Sequence, residues 1–475
     1  MKRPKIPRPP KPRRPSLSRP RLPRPSVEGL RPRRPSEWTP RARQASGALA
    51  VVLAAAASAA AGYAVGNEET RPARQIPAVA PTVVIEEAPE SEVASELGFP
   101  AFATRNTTRA GGATSAAVAA GVALASYPSV AGVGRPPAVV LAPTDSWQLA
   151  LAATSLTSAE IGAPMLVGEP DAIPGFTVSA LEGLAPDGLD RADGAEVIAI
   201  GDEVAAPSGF EELRIEGTGP AAAAKAIDRQ RARLSGIQDP DNILVVSSQE
   251  AAFAIPAAAW AARSGDPIAF ASDEVPEETI EMIERHPKAK VYVLGPEEAV
   301  NAGAMGDLRE ASGSRVERIE GKDPVDNAIA FARFSSGDFG WDINDPGHGF
   351  TVANADRPLD AAVASPLAAG GKPGPLLLTD SAERMPASLR EFLLDTKPGF
   401  SEDPARAIYN HIWLIGDEGA VSVELQAQID ELTKLVRVSD ATGGPRFGIA
   451  DEAEPDLDAS PDQDASPGPG SSPDP

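Results

Sequence analysis

From about residue 99 to 439 the chain is punctuated by short runs of consecutive apolar residues, and the same order of runs returns three times. AVVLA at 138–142, NILVV at 242–246 and GFTVA at 349–353 open the series. PMLVG from 164, PIAFA from 267 and PLLLT from 375 come second. VIAIGD at 197–202, VYVLGP at 291–296 and IWLIGD at 412–417 close it, each strand ending in a Gly turn. Runs without polar alternation fit strands covered on both faces, as in parallel sheets. Ala-rich helical stretches join the first run to the second, and Pro174, Pro276 and Pro386 start a further helix about ten residues after it. Ahead of each series stand an Arg, a Gly and a helix start: Arg109 with Gly111 and Gly112, Arg214 with Gly217, Arg318 with Gly321. Asp323 and Pro324 read as N-cap and first helical residue, and Gly219 and Pro220 do the same job in the second copy.

The pattern predicts an α/β body of three tandem units, each a small open parallel sheet with right-handed crossovers (Rossmann- or flavodoxin-like). Repeats are expected at 99–210, 211–314 and 315–439.

The termini read differently. Residues 1–46 hold 12 Pro and 15 Lys and Arg against two Glu, a net of +13, which leaves −36 for the other 429 residues. This arm is too Pro-rich for helix and is expected to be extended, solvated and cytoplasmic, either drawn to anionic lipid or acting as a topology signal only. GALAVVLAAAASAAAGYAVG, 47–66, is uncharged and long enough to cross a bilayer. A transmembrane anchor with the body outside is preferred over a cleaved signal peptide or a buried Ala-rich helix. Residues 67–98 read as an acidic linker, and 440–475 as an acidic Pro-, Ser- and Gly-rich disordered tail.

Charge and composition narrow the chemistry. A body this acidic is not a nucleic-acid binder. Cys is absent, which removes disulfides, thiol nucleophiles and Cys-ligated metals. No Gly-x-Ser-x-Gly elbow, phosphate loop or His-Glu-x-x-His helix occurs, and three His leave few general bases near neutral pH.

RIEGKDPVDNAIAFA at 318–332, DAAVASPLAAGGKPGPLLLT at 360–379 and IWLIGDEGAVS at 412–422 resemble the type-2 cell-wall-binding repeat family. The chain is most similar to actinobacterial members with an N-terminal hydrophobic segment before three repeats. The resemblance implies three units packed in a pseudo-threefold arrangement, in a non-catalytic envelope protein that holds anionic cell-wall polymer and carries no cofactor, a divalent cation being a possible bridge. It places Asp360 at the family's helix-opening Asp, where Leu149 and Ala252 stand in the first two copies. Arg109, Arg214, Arg318 and Asp360 are therefore polymer-binding candidates, although an Arg that bonds a neighbouring carbonyl to fix its turn is the preferred reading of the three Arg. Asp338, Asp342, Asp345 and His348, in the insertion DFGWDINDPGHGF at 338–350, are candidates for a loop cation or sugar site, with a plain turn the preferred reading. Two other classes stay open: a degenerate α/β enzyme or small-molecule receptor using a crevice at the strand ends, and a surface scaffold for protein partners.

Overall fold

The computed structural model describes residues 103–128, 134–170, 172–313, 315–369 and 373–438. The basic arm 1–46, the apolar stretch 47–66, the linker 67–98 and the tail 440–475 lie outside them. Among the described residues no helix is long and apolar enough to cross a membrane.

In chain order the strands are β1 (Thr107–Ala110), β2 (Val139–Pro143), β3 (Met165–Gly168), β4 (Val197–Ile200), β5 (Glu212–Ile215), β6 (Asn242–Ser247), β7 (Ile268–Ala271), β8 (Lys290–Leu294) and β9 (Val316–Ile319). After them come β10 (Ser335–Ser336), β11 (Phe339–Gly340), β12 (Gly349–Asn354), β13 (Pro373–Thr379), β14 (Gly399–Phe400), β15 (His411–Ile415) and β16 (Val436–Arg437). Three four-stranded sheets result, in the orders β3-β2-β4-β5, β7-β6-β8-β9 and β13-β12-β15-β1. Every pairing within them is parallel. All nine apolar runs are strands, and their side chains are buried almost throughout, as strands covered on both faces require.

The segments carrying Arg109, Arg214 and Arg318 are strands as well, where the sequence suggested only a turn before a helix. β5 and β9 are each the fourth strand of the sheet formed by the preceding stretch of chain, so they lie beyond the expected boundaries at 211 and 315 from the sheets they complete. The third sheet receives β1 from the other end of the body, with Arg109 in register with Leu414.

Local sequence fixes the helices. Asp323 accepts from the amide of Asp326 and Pro324 begins the helix Pro324–Arg333. Pro174, Pro276 and Pro386 each stand at the N-cap of a helix. The segments Thr154–Thr157, Ala257–Ser264 and Pro366–Ala369 of the three connections pack on one another in the core, the latter two through small Ala side chains.

The 338–350 insertion is largely packing. Its β10–β11 hairpin stacks Phe339 on Tyr292 of β8 at 3.7 Å and 2°, and sets Trp341 edge-on to Trp260 at 5.4 Å and 86°. Ile343 is buried beside them, so alternate residues of the segment cover the second sheet.

Candidate functional site at the Gly416 turn

The last strand of each series ends in a glycine at positive φ: Gly201 at 82°, Gly295 at 125° and Gly416 at 95°. Only glycine holds this region without penalty, which accounts for the residue in all three copies. The candidate Arg side chains clasp these turns. Arg214 donates to the carbonyls of Gly201 and Val204, both at 2.8 Å. Arg318 donates to Gly295 at 2.6 Å and Val300 at 2.7 Å. Arg109 is the most deeply committed, donating to the carbonyls of Gly416 (3.1 Å), Asp417 (2.8 Å) and Val421 (2.6 Å) and to Gln426 Oε1 (2.8 Å). It is 3% exposed. Burial lowers its pKa from the usual value, opposed by the charges of Glu418 and Asp417.

What lies under the turn differs among the copies. A Cβ placed on Gly201 would meet Leu149 at 3.1 Å, and one on Gly295 would meet Phe253 at 3.5 Å. On Gly416 it would lie 3.3 Å from Arg357 Nη1 and 3.7 Å from Asp360 Oδ2. Arg357 pairs with Asp360 at 3.4 Å and with Asp417 at 3.1 Å. Asp360 accepts from Ser115 Oγ at 2.5 Å. Its carboxyl is 4% exposed, and burial pushes its pKa up while the Ser115 hydrogen bond and the Arg357 charge pull it down. Ser115 opens the helix Ser115–Ser126, whose N-cap Thr114 accepts from the Ala117 amide.

These residues border a cleft of about 390 Å³, whose lining includes Thr114, Ser115, Asp145, Trp147, Asp356 and Arg357. Glu203 nearby is pushed up from the usual carboxylate range, first by its hydrogen bond to Asp145 and then by that residue's charge. The cleft thus joins the first and last thirds of the body at the carboxyl ends of β2, β12 and β15. Its one guanidinium is surrounded by carboxylates, an arrangement suited to hydroxyls, amides or a cation-bridged anion.

Residues 318–426 match the family model of cell wall binding domain 2. This bears out the resemblance carried by the third copy's motifs. The matched segment of cell wall binding domain 2 starts on the Arg strand β9 and ends at Gln426, the residue that receives Arg109. A comparison with curated proteins finds no match. Among solved structures, Cwp6 from Clostridium difficile is similar at 20% identity and TM-score 0.56, over 69% of this chain and 48% of that one. Cwp8 from Clostridium difficile is similar at 19% identity and TM-score 0.53, over 70% and 52% respectively. The chain spans about half the length of either, and at these identities the likeness is one of fold.

Of the sequence candidates, Asp360 lines the cleft and Arg109 braces the turn behind it, while Arg214 and Arg318 sit at the other two turns. Asp338, Asp342 and Asp345 are exposed and do not gather. His348 bonds Asp345 at 3.0 Å, at the amino end of β12. Among the described residues no group of three or more His, Asp or Glu is placed to hold a metal ion. Asp417 and His348 lie at opposite ends of the third sheet, so no single strand-end crevice takes both. Arg357 and Ser115 escaped sequence reading. Arg357 sits three residues before Asp360, a helical i,i+3 spacing that marks it as a partner. Ser115 carries no comparable signal, because its partner is 245 residues away.

Proposed function

We propose that the protein is a non-catalytic envelope component that holds wall-associated anionic polymer, and that the polymer enters the cleft bordered by Ser115, Arg357 and Asp360. The observation that carries this is the polar floor beneath Gly416, within the stretch that matches cell wall binding domain 2. Apolar Leu149 and Phe253 fill the corresponding floors, so the first two units serve the fold and the third holds the ligand. Arg109, Arg214 and Arg318 act as turn clasps and do not touch polymer. The recurring sheet order and the central packing of Ala-rich segments support three repeats about a pseudo-threefold axis. Asp356, Asp360 and Asp417 outnumber Arg357 around the cleft, so binding of an anionic polymer there should strengthen when divalent cations screen these carboxylates. The apolar stretch 47–66 is assigned as a single-pass anchor that leaves the body at the wall.

Co-sedimentation with isolated cell walls tests the reading. The chain should pellet at low salt with divalent cation and be released by salt or chelator, and Arg357→Ala should reduce the pelleted fraction about tenfold, as loss of a charged contact implies. Absence of pelleting at low ionic strength, with and without cation, removes the binding claim.

A further inference from the structure

A second cleft, of about 770 Å³, opens at the amino ends of β12 and β15, the opposite end of the third sheet from the Gly416 turn. Its size falls within the range of small-ligand sites. No Lys, Arg, Asp or Glu lines it. Tyr127, Tyr409 and Trp413 supply aromatic surface, and Pro366 and Leu367 extend the apolar area. Tyr409 is 50% exposed and its neighbour Ile408 57%, so the rim offers large apolar faces to solvent. The lip is already held: Asn410 Oδ1 accepts from the amides of Gly347 (2.8 Å) and His348 (3.1 Å), and Asn410 Nδ2 donates to Thr396 O (2.7 Å).

Two polar side chains in this lining have hydrogen-bonding capacity left over. Ser126 Oγ is not one of them: it has no hydrogen-bond partner among the described residues and is closed off from the cleft. His348 uses Nε2 on Asp345, and His411 uses Nε2 on Thr108 Oγ1 at 3.1 Å, leaving Nδ1 of each without a partner among the described residues. An apolar occupant would leave both imidazoles unpaired, and an anion would find no cation. A ligand hydroxyl both donates and accepts, so it can satisfy an imidazole nitrogen in either tautomer.

We propose that this cleft binds a neutral oligosaccharide, its ring faces against Tyr409 and Trp413 and its hydroxyls on His348 and His411. Aromatic side chains suit such a ring because they present an apolar body beside polar groups. The proposal does not rest on the Arg357 cleft, which lies at the other end of the strands.

The test titrates the full chain with cellotriose and with chitotriose, followed by saturation-transfer NMR and by tryptophan fluorescence. At least one trisaccharide should bind saturably below about 10 mM, a weak-site affinity. His348→Ala and Tyr409→Ala should each weaken it about tenfold, as loss of one good contact implies. Arg357→Ala should leave it unchanged, which separates this cleft from the polymer site. No saturable binding of either sugar, or binding indifferent to both substitutions, overturns the proposal. So would binding of an apolar dye in the cleft with no binding of either sugar.

Discussion

Replacing Arg109 by Met keeps an unbranched apolar stem and removes the charge and the donors, and the outcome distinguishes a clasp from a ligand-binding residue. Arg109 is almost wholly buried and reaches three carbonyls and one amide oxygen, all in the turn and helix that follow β15. Net contributions of about 1.5–3 kcal/mol for hydrogen bonds to a charged group are not additive here, and four acceptors are orphaned together. A loss of about 3–5 kcal/mol is expected, equivalent to roughly two such bonds. Arg318→Met removes two carbonyl contacts from a partly exposed side chain and should cost about 1–2 kcal/mol. Urea unfolding of the two variants beside the parent chain gives both numbers. If Arg109→Met shifts stability by less than about 1 kcal/mol, or no more than Arg318→Met, the clasp argument fails. If it also abolishes wall binding at unchanged stability, Arg109 belongs with the ligand.

Further outcomes follow from other contacts. Asp360→Leu gives the third copy the residue that stands in the first; it should abolish wall pelleting while stability, read by urea unfolding, changes by no more than about 1 kcal/mol, since Arg357 is partly exposed and keeps its pair with Asp417. Phe339→Ala removes the ring stacked on Tyr292 and should cost about 3–5 kcal/mol in the same assay, with near-ultraviolet circular dichroism reporting the disturbed aromatic cluster. His286, 3% exposed and bonded to Asp228 at 2.9 Å, has its pKa lowered to about 4, first by burial and then by Arg285 and Arg231. The native state therefore binds fewer protons than the unfolded chain between about pH 6.5 and 4, so stability is full above that window and falls through it by about 3 kcal/mol. His286→Gln should flatten that part of the stability profile.

The elements legible in the sequence are those whose cause is local. Val139–Ala142, Ile243–Val246 and Leu376–Leu378 announce buried strands by being apolar at every position, and Asp323-Pro324 announces a helix start by its own chemistry. β1, β5 and β9 were missed because they are edge strands of four residues with polar and partly exposed positions, and because their partners are set by sheet closure. The insertion reads as a Gly- and Asp-rich loop until Phe339, Trp341 and Ile343 are seen two residues apart, the alternation of a strand with one face buried. Asp360 was legible as a motif position, whereas its setting was not: Ser115 and Asp417 come from segments far apart in the chain, brought beside it by the pairing of β1 with β15.

That pairing also decides how the body would carry tension. Thr104 and Asn106 bond Asp430 just ahead of β1, so the two ends of the folded region emerge side by side. A pull applied between residues 104 and 433 loads the β1–β15 seam and the Arg109 anchor, because residue 104 precedes β1 and residue 433 ends the helix that Arg109 holds. Stretching a single molecule from these two points should therefore give an initial rupture at one latch, followed by unravelling of the remainder.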